Sequence, residues 1–207
     1  DHRDLHSFPT RRSSDLVAPQ GAFTISGSRL LVAGGRSVPA AFDLKTGEEL
    51  YYKLAESGKT GGAFTFSNDR VFFNHHRLRM TYMYDSQTGN RLKSDAGEYP
   101  VIDGNTFYFS GRSISALLLG NDNKTEILWE SEFSATNDLI KAGNCLYAAD
   151  SSGITGIRIS DNKPQKIWNI KTEQNIERLA AANGKLIAVS DQGDIMVYGD
   201  SPVSTVA

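Results

Sequence analysis

The feature that most constrains this chain is a repeat of about forty residues. Five stretches each set a polar turn before a short apolar strand: SGSRLLVAGG at 26–35, SNDRVFFNHH at 67–76, DGNTFYFSGR at 103–112, AGNCLYAADSS at 142–152 and NGKLIAVSDQG at 183–193. With Gly27, Asn68, Gly104, Gly143 and Gly184 as the equivalent turn position, successive spacings are 41, 36, 39 and 41. A second series keeps step. AAFDLKTGEELYY, TYMYDSQTGNRLK, ALLLGNDNKTEILWE and TGIRISDNKPQKIWNI each read as strand, turn, strand, and their Leu50, Leu92, Leu128 and Ile167 lie 42, 36 and 39 residues apart. A unit recurring at a fixed period buries its apolar faces against its own neighbours, so the period decides the architecture before any single residue does.

Each unit resolves into four short segments rich in Val, Ile, Phe, Tyr and Thr, separated by turn residues. In the second unit these are AFTFS, RVFFN, TYMYD and NRLKS. The clearest turns are Asp43–Gly47 and Asp85–Gly89, where Asp bonds backbone N–H groups and Gly takes the left-handed position. NIERLAAANGK at 175–185 has some helical character, but the repeat register makes it the first strand and turn of a fifth unit. Four antiparallel strands recurring at this period predict an all-β chain, a β-propeller of four-stranded antiparallel blades. About five blades are expected, at approximately 21–54, 61–96, 99–132, 137–171 and 175–200, with 201–207 as a C-terminal tail. SPVSTVA supplies no convincing fourth strand to the last unit. The expectation is an incomplete ring whose first and last blades expose unpaired edges, an aggregation hazard.

AAFDLKTGEELYY resembles the repeat of quinoprotein-type, PQQ-binding-like propellers, whose pattern is Ala-x-Asp-x-x-Thr-Gly-x-x-x-Trp. Ala41, Asp43, Thr46, Gly47 and Tyr51 fall on it, with Tyr in place of Trp. The second unit keeps Asp85, Thr88 and Gly89, and the third and fourth keep the aromatic position as Trp129 and Trp168. The resemblance covers residues 17–200 and implies that these aromatics dock one blade on the next. It also implies a bacterial protein and favours the cell envelope or periplasm. Most members of that class bind no quinone, so no cofactor follows from the resemblance.

Residues 1–16, DHRDLHSFPTRRSSDL, back-translate residue for residue into one reading frame of a widely used short-read sequencing adapter. They are read as a disordered, non-native adapter-derived peptide and set aside, which implies that the chain is N-terminally truncated. The exclusion removes three Arg and three Asp, leaving the net charge at −2. It also removes His2 and His6, so His75 and His76 are the remaining histidines. The other 191 residues suffice for one domain that buries roughly 70% of its unfolded surface. Near-neutral, mixed charge gives no electrostatic footprint for nucleic acid. No apolar run approaches the ~20 residues of a membrane helix. Cys145 is the single cysteine, so no internal disulfide forms.

Candidate site residues come from the turns after each second strand, which in a propeller line one face. These read Gly35-Arg36-Ser37, His75-His76-Arg77, Gly111-Arg112-Ser113, Asp150-Ser151-Ser152 and Asp191-Gln192-Gly193. Arg36, Ser37, His76, Arg77, Arg112 and Ser113 are the candidate binding face. Guanidinium forks suit a carboxylate, a phosphate or an acidic segment of a partner protein. Adjacent strand histidines point to opposite faces, so His75 and His76 make a poor metal grip. No Gly-rich phosphate loop, nucleophile elbow or Cys-His pair is present, and neither PQQ nor calcium is supported by these residues. The function expected is non-catalytic binding or scaffolding, for a protein or a small polar or anionic ligand. The alternative is the propeller portion of a larger enzyme, a quinoprotein dehydrogenase or a multidomain enzyme with its catalytic groups elsewhere.

Overall fold

The computed structural model describes residues 21–34, 37–54, 65–75, 81–94 and 96–199. The chain divides into two units, one running through Ala96 and the other starting at Gly97. In the first unit, β1 (Thr24–Ser26), β2 (Arg29–Gly34), β3 (Ser37–Asp43) and β4 (Glu49–Leu54) form one antiparallel sheet in chain order. A second is built in the same way from β5 (Thr65–Ser67), β6 (Val71–His75), β7 (Thr81–Asp85) and β8 (Arg91–Lys93).

In the second unit the third sheet comprises β9 (Pro100–Asp103), β10 (Thr106–Phe109), β11 (Ser115–Leu119) and β12 (Thr125–Glu130). The fourth comprises β13 (Asp138–Ala142), β14 (Cys145–Asp150), β15 (Gly153–Ser160) and β16 (Lys163–Ile170). A fifth, of three strands, holds β17 (Ile176–Ala182), β18 (Lys185–Ser190) and β19 (Ile195–Tyr198). The segment with helical character is therefore β17 and its turn, and no helix occurs among the described residues.

The turns follow from residue type. Asp43 Oδ1 accepts from Lys45 N, Thr46 N and Thr46 Oγ1 at 2.9, 2.7 and 3.0 Å, and Gly47 closes the turn at φ 73°. Asp85 repeats this with Gln87 N, Thr88 N and Thr88 Oγ1 at 2.9, 2.8 and 3.0 Å, and Gly89 at φ 68°. The three backbone and hydroxyl donors hold the Asp43 carboxyl below its ordinary pKa, Thr46 contributing most. The fourth sheet, which lacks Thr-Gly, turns instead through Asp161 and Asn162, both at positive φ, the requirement of a two-residue type I′ hairpin. In the fifth sheet Ala182 pairs with Lys185, so the turn is Asn183-Gly184 and Asn183, not Gly184, is equivalent to Gly27, Gly104 and Gly143. The Asn-Gly pair explains the slip: both residues tolerate positive φ and both adopt it.

One irregularity recurs in all four four-stranded sheets. Ala41 pairs with Tyr51 and Phe42 with Glu49, leaving Leu50 as an extra residue on the outer strand. Met83–Lys93 and Tyr84–Arg91 skip Leu92, Ala116–Trp129 and Leu117–Ile127 skip Leu128, and Gly156–Trp168 and Ile157–Lys166 skip Ile167. The four residues aligned by spacing are thus four β-bulges at one position, each re-aiming the side chain that follows. In three sheets that side chain is aromatic and lies opposite a small residue on the third strand.

The small residue lets rings meet across it. Trp129 reaches over Ala116 to Tyr108, ring centroids 5.9 Å apart, and Trp168 reaches over Gly156 to Tyr147 at 5.8 Å. These rows face the following sheet. Tyr51, Leu31 and Ala41 pack with Phe72 and Tyr84 of the second sheet, and the Tyr51 hydroxyl donates to Ser86 O at 2.9 Å. Tyr108, Ala116 and Trp129 pack with Leu146 and Ile157 of the fourth. Tyr147, Ala149 and Trp168 pack with Leu179, Leu186 and Ala188 of the fifth. Strand β14 therefore buries both its faces, Leu146 and Ala148 on one side and Ala149 on the other.

Candidate functional site

The second-strand loops that carry the candidate binding face differ in construction. In the third sheet Phe109 pairs with Ser115, and Ser110–Ile114 form the loop between them. Arg112 stands exposed there. Its neighbour Ser113 is half-buried and donates its hydroxyl to Glu130 Oε1 at 2.8 Å, tying the loop to the outer strand. Ile114 is fully buried beneath it, so Arg112 projects from an anchored base. Ser37 opens β3, pairing with Gly34 and Leu54. Arg36, His76 and Arg77 lie outside the described residues.

The fourth and fifth loops are closed by their own side chains. Asp150 Oδ1 accepts from Ser152 N and Ser152 Oγ at 2.7 and 2.6 Å, while the buried Ser190 Oγ accepts from Gln192 N and Asp194 N at 3.3 and 3.1 Å. These carboxylates and hydroxyls are spent on turn geometry. Among the described residues no three His, Cys, Asp or Glu side chains converge as metal ligands would.

A residue that sequence reading passed over lies beside the second loop. Asn74, on β6 one residue before His75, is 2% exposed, and its Oδ1 has no hydrogen-bond partner among the described residues. It pairs across the sheet with Thr65 and Tyr82. A buried acceptor without a donor costs about 1–3 kcal/mol, so one at a loop mouth calls for a reason. An Asn inside an apolar VFFN run was the available signal.

The second unit also holds a cleft of about 530 Å³ between the fourth and fifth sheets, floored by Tyr147, Trp168, Leu186 and Tyr198 with Lys185 at its side. It offers an aromatic surface and one ammonium but no acid–base pair. Burial, with Cys145 alongside, pushes the Tyr147 phenol above its ordinary pKa, so it stays neutral.

Antiparallel sheets in chain order, four of them four-stranded, docked within each unit through one repeated row, make this chain a β-propeller repeat protein. The chain matches no protein-family model and no curated protein sequence. Solved structures do resemble it. The computationally designed Ika8 protein is 13% identical with a TM-score of 0.65, over 86% of this chain and 57% of that one. The RRP9 WD40 repeats are 11% identical with a TM-score of 0.61, over 90% of this chain and 61% of that one. BamB from Moraxella catarrhalis is 15% identical with a TM-score of 0.49, over 87% and 72%. At such identities the likeness is one of fold. The chain spans 57% and 61% of the lengths of the first two.

Proposed function

We propose that this chain is a non-catalytic binding or scaffold propeller of the PQQ-like repeat class. Its ligand is an acidic protein segment or a small anion, taken at the second-strand loops by Arg36, Arg77 and Arg112, with Ser37, His76 and Ser113 as polar neighbours. The observation that carries the reading is Asn74 Oδ1, a buried acceptor that no described residue donates to, near the end of the strand that leads into the second loop. A ligand that carries an N–H or O–H donor as well as a carboxylate or phosphate offers a partner to each kind of group. The repeat supports the class: Asp43, Thr46 and Gly47 close a turn, and Tyr51 at the patterned aromatic position docks on the next sheet.

The test is calorimetric titration with an Asp/Glu-rich peptide and with inorganic phosphate, on the chain and on the Arg36→Ala/Arg77→Ala/Arg112→Ala variant. Saturable binding that weakens at least tenfold in the variant is expected, and roughly 1.4 kcal/mol corresponds to each tenfold. Binding of equal strength in the variant would remove the arginines from the reading. Stoichiometric uptake of PQQ with calcium by the chain would replace it with the dehydrogenase alternative.

A further inference from the structure

The cross-strand row that docks the first sheet on the second, the third on the fourth and the fourth on the fifth recurs in the last sheet, where no described residue packs on it. From first strand to last the rows are Thr24-Leu31-Ala41-Tyr51, Val101-Tyr108-Ala116-Trp129 and Ile140-Tyr147-Gly156-Trp168. The fifth sheet's equivalent is Ala180-Ile187-Val197. Its face is apolar and open: Val197 is 40% exposed and Ile195, in the adjoining row, 69%. The opposite face of the same sheet, with Leu186 and Ala188, is already packed on the fourth.

The receiving side of these interfaces is equally regular. Each receiving sheet offers a large apolar pair on its second and third strands: Phe72–Tyr84, Leu146–Ile157 and Leu186–Tyr198. Phe72, Leu146 and Leu186 are buried by the preceding row. The first sheet carries the same pair, Leu30–Phe42, with Ile25 beside Leu30, on the face turned away from the second sheet. There Ile25 is 58% exposed and Leu30 and Phe42 only half-buried. One chain thus exposes, at the register positions it joins internally three times, an apolar row on the donor side, aliphatic and one strand shorter than the internal ones, and a receiving row.

We propose that the open donor face of the fifth sheet docks on the receiving face of the first sheet of a second copy of this chain, head to tail. The contact uses the register of the internal sheet-to-sheet interface with aliphatic side chains in place of the aromatic row, Ile187 and Val197 set against Leu30 and Phe42 of the neighbouring copy. Because the two surfaces differ, the interface is heterologous: it closes a ring of copies or runs on as a filament. It involves none of the loop arginines and stands apart from the ligand proposal.

Two exposed positions allow a test that leaves the core untouched. Ile25→Glu spoils only the receiving face and Val197→Glu only the donor face, and far-UV circular dichroism checks that both variants keep the β fold. In sedimentation velocity the unmodified chain is expected to associate as concentration rises, and each variant alone to lose that association. An equimolar mixture of the two variants restores one intact interface, and heterodimers that grow no further are expected. A monomeric unmodified chain would overturn the proposal, as would an Ile25→Glu variant that still associates by itself, since that would place the contact between like faces. Association unchanged in both variants would overturn it as well.

Discussion

Gly156 provides the sharpest test of how the sheets dock. A Cβ built on Gly156 would lie 2.7 Å from both Cζ2 and Nε1 of Trp168, and closer still to Cε2. The indole has little room to yield, because Tyr147 lies 5.8 Å away on the same face and the ring packs into the cluster of Ile154, Leu179 and Leu186. Forcing one extra methyl into such a site costs about 1–3 kcal/mol. For a chain of this size each kcal/mol moves the melting temperature by roughly 2–4 °C, so Gly156→Ala is expected to melt about 2–12 °C lower. The other sheets accommodate a methyl at this position, Ala41 opposite Tyr51 and Ala116 opposite Trp129, so the clash belongs to the way Trp168 lies over Gly156, and a smaller ring there relieves it. Gly156→Ala combined with Trp168→Tyr should therefore recover part of the loss, and a double-mutant cycle should give a coupling of about 1 kcal/mol or more. Urea unfolding followed by circular dichroism measures all four corners of the cycle. A Gly156→Ala variant as stable as the parent, or a double variant whose losses simply add, would refute the size-matching argument.

Tyr51→Phe removes the hydroxyl that donates to Ser86 O at 2.9 Å and should cost about 0.5–1.5 kcal/mol in urea unfolding. Burial raises the Tyr51 phenol above its ordinary 10.0, so its contribution is full below pH 10 and fades as the pH climbs beyond that value. The parent should accordingly lose more stability than Tyr51→Phe between neutral and strongly alkaline pH. Asp43 has the opposite sign: its lowered pKa stabilises the fold above 3.8, and the effect disappears as the pH falls through the folded value. The gap between parent and Asp43→Ala should be constant near neutrality and narrow in acid, as read by unfolding at a series of pH values. Asp138 joins two sheets by accepting Leu179 N on Oδ2 at 2.7 Å, so Asp138→Ala should cost about 1.5–3 kcal/mol, with hydrogen exchange faster at the Leu179 amide.

Much of this architecture is legible in the amino-acid order, because a repeat states the same solution several times. Leu50, Leu92, Leu128 and Ile167 align by spacing alone, and each turns out to be the extra residue of a bulge. Turn chemistry is equally local. Asp43 and Asp85 build one turn from one tetrapeptide logic, whereas Asp161-Asn162 reaches the same hairpin by another. The site was less legible. That Ser113 is held by Glu130, or that Asn74 is buried with no donor among the described residues, depends on groups brought together from distant parts of the chain.

The order of residues by itself determined the period, the strands and most of the turns, since each depends on contacts within one hairpin. It could not determine which face of a strand meets which sheet. A shift of one residue exchanges every side chain between faces, as the step from Gly184 to Asn183 does in the fifth turn. Only the tertiary structure decided that Leu146 and Ala149, three residues apart, serve two different interfaces. It also decided that Leu30–Phe42 and Ile187–Val197, apolar like the buried rows, are left facing outward among the described residues. Burial is a property of what packs on a residue, and the chain writes the residue without its neighbour.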